Sequence, residues 1–205
     1  MLFKSTVLIA GTIALASAAP VARASITAAT IEAITPATAS CVGAPFPQEC
    51  RDATQAAGPI ASSFQKYGIS TAGEQAALLA LMLYETDGFK YNKNHTPGIP
   101  GQGTRNMQSP ALNLKYASSL FDAATVQQAS AAGPDAVYTL LAGDNESFGS
   151  AAWFLNTQCS PGIRQGLASG TAVGWSAFLS QCVYTPDSEG RNAVWSAAIK
   201  AVQGS

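Results

Sequence analysis

Glu85 is the residue around which chemistry can be built. Leu78, Leu81, Met82 and Glu85 recur at i, i+3, i+4 and i+7 and therefore share one face of a helix. The run 76–84 (AALLALMLY) is apolar on nearly every side, which predicts a buried central helix with a carboxyl in its last turn. Desolvation and the negative end of the helix dipole both favour the protonated acid at such a place, and a general acid needs that proton. Cleavage of a glycosidic bond ordinarily pairs such a group with a second carboxylate, whose spacing decides retention or inversion. Asp87 is nearest in sequence, although two residues past Glu85 it points elsewhere unless the chain turns sharply at Gly88. Asp144 and Glu146 come next, in a Gly-Asp-Asn-Glu segment where either also reads as a helix cap.

Other chemistries narrow quickly. The chain has 1 histidine, so a Ser-His-Asp triad, a two-histidine zinc site or a facial iron triad needs more histidines or must pass through His95. No metal and no organic cofactor is expected. Gly101-Gln102-Gly103 is too short for a phosphate cradle and follows no strand. With 11 Lys+Arg against 12 Asp+Glu, the net charge of -1 gives no electrostatic case for nucleic acid.

The elements that must position Glu85 are helical. Thr71-Ala72-Gly73-Glu74 is a capping box that starts the central helix, and Asp87-Gly88 ends it. Before it, residues 52–67 read as a helix interrupted near Gly58-Pro59. After it, helices are expected near 110–121, 134–142, 146–157, 161–168, 172–182 and 188–203, two of them opened by Ser-Pro. Residues 86–108 differ in kind, with four Gly and two Pro and no helical period. A loop of that length between helices is functional when ordered, and Phe89, Tyr91, Ile99 and Met107 give it something to pack. Tyr91 and Arg105 are its candidate ligand contacts. Trp153, Trp175 and Trp195 sit among small residues in helical stretches, where burial is the default. The fold class is mainly α, one domain with little or no β-sheet.

The ends give an address. Lys4, the apolar run 7–15 and Ala16-Ser17-Ala18 read as a secretory signal over 1–18, too short for the roughly 20 residues of a membrane span. Residues 19–40, rich in Ala and Thr and almost uncharged, read as a propeptide or flexible leader, leaving 41–205 as the domain. Four cysteines allow three connectivities; local pairing, Cys41–Cys50 and Cys159–Cys182, is preferred here, each bridge contributing about 2–4 kcal/mol. Two Asn-x-Ser/Thr acceptors, at Asn94 and Asn145, suit a secreted chain, and nothing suggests more than a monomer.

Glu85-Thr86 at a helix end, the glycine-rich loop, and then residues 101–110 (GQGTRNMQSP) resemble the lysozyme-like superfamily, specifically lytic transglycosylases and goose-type lysozymes. The resemblance is firm over about 74–116, and residues 151–156 (AAWFLN) look like the later helix that closes the cleft in that superfamily. It implies a lysozyme-like helical domain with a long loop at a central cleft. It also implies Glu85 as proton donor, with Met107, Gln108 and Asn156 along the cleft; Asn106 and Trp153 are further candidate substrate contacts, Trp153 as a stacking face. Thr86 stands where the family has Ser, Thr104-Arg105-Asn106 replaces Gly-Leu, and Leu155 stands where Tyr is usual. The expected function is that of a secreted, cell-wall-degrading glycoside hydrolase on peptidoglycan. The alternatives are chitinase- or chitosanase-like hydrolysis, or a non-catalytic glycan-binding protein or effector on the same fold.

Overall fold

A computed structural model describes residues 26–204. Its ten α-helices are α1 (Ala28–Ile34), α2 (Ala53–Lys66), α3 (Ala72–Glu85), α4 (Pro110–Leu120), α5 (Ala123–Ala132), α6 (Pro134–Leu141), α7 (Asp144–Gln158), α8 (Pro161–Ala168), α9 (Ala172–Phe178) and α10 (Glu189–Gln203). Among the described residues there is no sheet. The extended pairing that exists is two isolated antiparallel bridges, Lys93 with Gly103 and Gly103 with Gln108, inside the long loop. The mainly-α fold expected from the sequence is what forms.

Helix α3 is the axis of the domain. The predicted capping box is present: Glu74 N donates to Thr71 Oγ1 and Thr71 N donates to Glu74 Oε2. Every residue from Gly73 to Leu83 is buried, as the all-round apolar pattern requires. Helices α10, α8 and α7 pack around it, α2 covers α7, and α4, α5 and α6 form a flanking group. Burial of α3 thus fixes one end of the chain's longest loop, because Glu85 is its last helical residue.

Three boundaries differ from the sequence reading. Helix α2 runs through Pro59 without a break. Proline removes one i→i−4 bond, but the buried face Ala53, Ala56, Ile60 and Phe64 holds the helix across it. Helix α5 was not expected, since its Ala-, Ser- and Gln-rich stretch carries little apolar period. Helix α9 stops at Phe178 and passes into a π-helical turn, Leu179–Val183, which carries Cys182.

The flexible-leader reading of 19–40 is corrected for its described part. Ile26, Ile31 and Ile34 are buried, and α1 packs against α10 and α2. Their isoleucine stripe was diluted by Ala and Thr in the composition, which is why the segment read as filler. The predicted signal over 1–18 lies outside the described residues. Both disulfides pair locally: Cys41–Cys50 staples the chain before α2, and Cys159–Cys182 ties the end of α7 to the π turn.

Two glycines set the approach of α3, α8 and α9. A Cβ on Gly174 would run into the carbonyl of Gly166, and one on Gly73 into the carbonyl of Leu167. Backbone cannot swing aside as a side-chain tip can, so Gly73→Ala and Gly174→Ala should each cost about 1–3 kcal/mol in urea unfolding. Gly162→Ala, whose Cβ meets nothing nearer than Ser160 Oγ at 3.8 Å, should leave stability unchanged or slightly raised.

Candidate active-site cleft

The cleft is made by turning the chain back over the end of α3. Thr86, fully buried, donates to Met82 O at 2.7 Å and accepts from Phe89 N at 3.1 Å. The left-handed conformations of Asp87, Gly88 and Phe89 (φ 48, 68 and 65) then reverse direction within three residues. Phe89 is driven into the core, edge-on to Phe148 at 5.1 Å, and so pins the turn. Threonine at 86 is therefore a structural cap, its hydroxyl committed to backbone.

Arg105 builds the floor of the loop. Its side chain is fully buried and donates to the carbonyls of Phe89 (3.1 Å), Tyr91 (2.8 Å) and Glu49 (2.8 Å) while lying over the Phe148 ring at 4.6 Å. Burial lowers the guanidinium to about 10, still charged at neutral pH. The sequence reading of Arg105 as a ligand contact is thereby corrected. A basic residue in a glycine-rich loop looks exposed until converging carbonyls show otherwise.

Glu49 supports the same loop from the disulfide-closed segment. Its Oε2 accepts from the backbone N–H groups of Asn92 and Lys93 at 2.8 and 3.0 Å, and Oε1 lies 2.7 Å from His95 Nε2. The His95 ring stacks on Phe46 at 3.5 Å, with Tyr91 tilted beside it. Farther along, Asn94 Nδ2 donates to Gln102 Oε1, and Gln102 Nε2 donates to Met107 O. Asp135 on α6 pairs with Lys93 at 2.9 Å and accepts from Gly101 N at 2.9 Å. The Lys93 contact first, and the Gly101 amide second, hold the Asp135 carboxyl below its ordinary 3.8.

Between this loop and the end of α3 lies a polar cleft of about 370 Å³, lined by Glu85, Tyr91, Lys93, Asn94, His95, Thr96, Gln102 and Met107. Glu85 is half-buried, its side chain 21% exposed, and its Oε1 meets Arg191 Nη2 of α10 at 2.6 Å. Arg191 itself is clamped over the Tyr84 ring at 4.3 Å. Among the described residues no donor reaches Glu85 Oε2. Sequence reasoning missed Arg191, a hundred residues downstream and without local signal, and it missed Glu49. His95 is exposed and meets Glu49 across the loop.

Of the expected contacts, Glu85, Tyr91 and Met107 share this cleft. The others are placed elsewhere. Gln108 is buried and donates to Asn113 Oδ1 at 3.1 Å, tying the loop to α4, while Asn106 Oδ1 accepts from Ser150 Oγ at 2.7 Å, tying it to α7. Trp153 is buried against Tyr116. Asn156 is exposed and accepts from Arg164, which also binds Glu74 at the opposite end of α3, roughly 16 Å of helix away from Glu85. No candidate second carboxylate lines the cleft. Asp87 is exposed and pairs with Lys90; Asp144 is the first residue of α7, capped by Gly143, and its oxygens take Arg51 Nε at 2.7 and 2.9 Å. Glu146 sits in the first turn of α7, beside a different pocket with Lys66 and Tyr67.

Two outcomes follow for the loop. Arg105→Met leaves the Tyr91 and Glu49 carbonyls without a donor and Phe89 O with Arg51 N alone, and should cost about 3–5 kcal/mol in chemical unfolding, with Arg105→Lys only partly restoring it because an ammonium lacks the planar fork. The folded-state value of Asp135 is depressed, so its contribution is complete above 3.8 and lost as pH falls through the lower folded value. Asp135→Asn should therefore flatten the acid limb of stability against pH.

Comparison with known proteins adds one relative. No family model matches the sequence, and no solved structure matches it. The chain is similar to a bifunctional dioxygenase (DOX)-epoxy alcohol synthase (EAS) of Fusarium oxysporum (strain Fo5176), 39% identical over 152 residues. That stretch is 71% of this chain and 12% of the relative, so the chain spans only a small part of the protein it resembles.

Proposed function

We propose that this chain is a secreted glycoside hydrolase of the muramidase or lytic-transglycosylase kind, acting on the glycan strand of peptidoglycan with Glu85 as general acid. The observation that carries the reading is the state of that one carboxyl. It ends a buried helix, borders a polar cleft, is gripped through Oε1 by Arg191, and offers Oε2 with no protein partner among the described residues. In this reading Arg191 orients the group and Oε2 carries the proton. The proton passes to the glycosidic oxygen as the C1–O bond breaks, and the leaving sugar departs as an alcohol. The developing oxocarbenium centre is met by water, or by the substrate's own acetamido or hydroxyl group, since none of the three candidate carboxylates lines the cleft. Tyr91 offers a face to a sugar ring, and Asn94 and Gln102, braced against each other, give the cleft wall its polar lining. The two disulfides support export to an oxidising compartment, and no described helix is long and apolar enough to cross a membrane.

The ion pair favours one second reading, a glycan-binding protein without turnover, because a carboxylate already neutralised by Arg191 serves recognition as readily as catalysis. The activities in the relative's name belong to a protein of which this chain matches 12%, and we read the matching stretch as an appended domain.

Glu85→Gln decides between the readings. The variant should keep its thermal midpoint and its binding to purified bacterial cell wall, while release of soluble glycan fragments falls at least about 100-fold, the usual minimum for a lost general acid. Equal release by both proteins sinks the hydrolase reading. Binding without release by either establishes the non-catalytic one.

A further inference from the structure

The two Asn-x-Ser/Thr motifs have the same pattern and opposite surroundings. Asn94 is half-buried in the cleft wall with both amide atoms engaged: Nδ2 donates to Gln102 Oε1 at 2.9 Å, and Oδ1 accepts from Gly98 N at 2.9 Å. Gln102 is committed in turn to Met107 O at 3.1 Å. A sugar on Asn94 Nδ2 would consume one of its two N–H groups directly beside the Gln102 amide and crowd the loop's internal bracing.

Asn145 stands in the first turn of α7, where it is exposed, and among the described residues neither of its amide atoms has a partner. It borders an open pocket of about 300 Å³ walled by Pro59, Lys66, Tyr67, Tyr116 and Leu120, so a first sugar has room and an apolar ring to lie against. The hydroxyl that completes its motif, Ser147 Oγ, is buried and has no hydrogen-bond partner in the folded protein. Buried hydroxyls are nearly always paired, so folding gives Ser147 no evident reason to be serine.

We infer that Asn145 carries an N-linked glycan and that Asn94 does not. The assignment rests on the reading that the chain is exported, because the glycan donor is met in the secretory pathway. In the transfer, a bond forms between Asn145 Nδ2 and C1 of the first N-acetylglucosamine. The C1–O bond to a lipid-linked pyrophosphate donor breaks, the pyrophosphate leaves with the electron pair, and the amide loses one proton.

The test is intact-mass measurement on the full chain expressed in a eukaryotic secretory host, with medium and cell fractions analysed separately. The expected protein carries one glycan, released by an amidase that deamidates position 145. Asn145→Gln and Ser147→Ala should each abolish the added mass, the second without touching the acceptor, and Asn94→Gln should leave it in place. Protein in the medium with no glycan, or with its glycan at position 94, overturns the assignment. Glycosylated chain found only in the cell fraction keeps the assignment and removes release from the cell.

Discussion

Arg105 carries its charge into the interior and meets there the carbonyl oxygens of Glu49, Phe89 and Tyr91 and the face of Phe148. A buried charge is costly unless its polar directions are filled, and here three backbone acceptors take Nη1 and Nη2 in place of a carboxylate while Nε has no partner. Those three carbonyls come from stretches of chain that the Arg51 amide on Phe89 O and the Glu49 carboxylate on the Asn92 and Lys93 amides also tie together. Glu49 lies in the disulfide-closed segment before α2, Phe89 in the turn after α3, and Tyr91 at the start of the cleft wall. Because one guanidinium needs all of them, the wall is placed relative to the end of α3, and the position of Glu85 against Tyr91 and Met107 follows.

Around that anchor the loop is closed by contacts that each reach a different element. Glu49 holds the Asn92 and Lys93 amides, Gln108 reaches Asn113 on α4, Asn106 reaches Ser150 on α7, and Asp135 on α6 takes Lys93 and Gly101. A segment with four glycines and no regular structure would otherwise lose a large conformational entropy on ordering. Spreading its ties over several helices lets the packed core supply the rigidity. Most polar residues of the glycine-rich motif are consumed by this bracing, and Asn94, His95 and Gln102, although they line the cleft, are braced within the protein too.

Local patterns were legible in the sequence and distant convergences were not. The capping box at Thr71 and Glu74, the Ser-Pro helix starts, the all-apolar run of α3 and the nearby cysteine pairs are statements about residues a few positions apart, and each formed as written. Helix α1 escaped because composition averages away three isoleucines that a packed partner selects. Arg105 and Gln108 were misplaced because residue type alone does not say whether the polar partner is a ligand or a carbonyl brought from another part of the chain. Arg191 belongs to the same class: its meeting with Glu85 exists only once α10 lies on α3.

That last contact shapes what the cleft can do. Arg191 is stacked over Tyr84 and set at the start of α10, so the oxygen it holds is fixed by core packing, whereas everything opposite Glu85 is fixed by the loop. The two halves join covalently at the Thr86 turn. A reacting or ligand-holding carboxyl therefore keeps its orientation when the loop's surface residues change. Tyr91, Asn94 and Gln102 can change without disturbing the helix pair that presents the carboxyl. With no second carboxylate from the three candidates beside it, Glu85 is the carboxyl that lines this cleft, and Arg191 is the group that holds it in place.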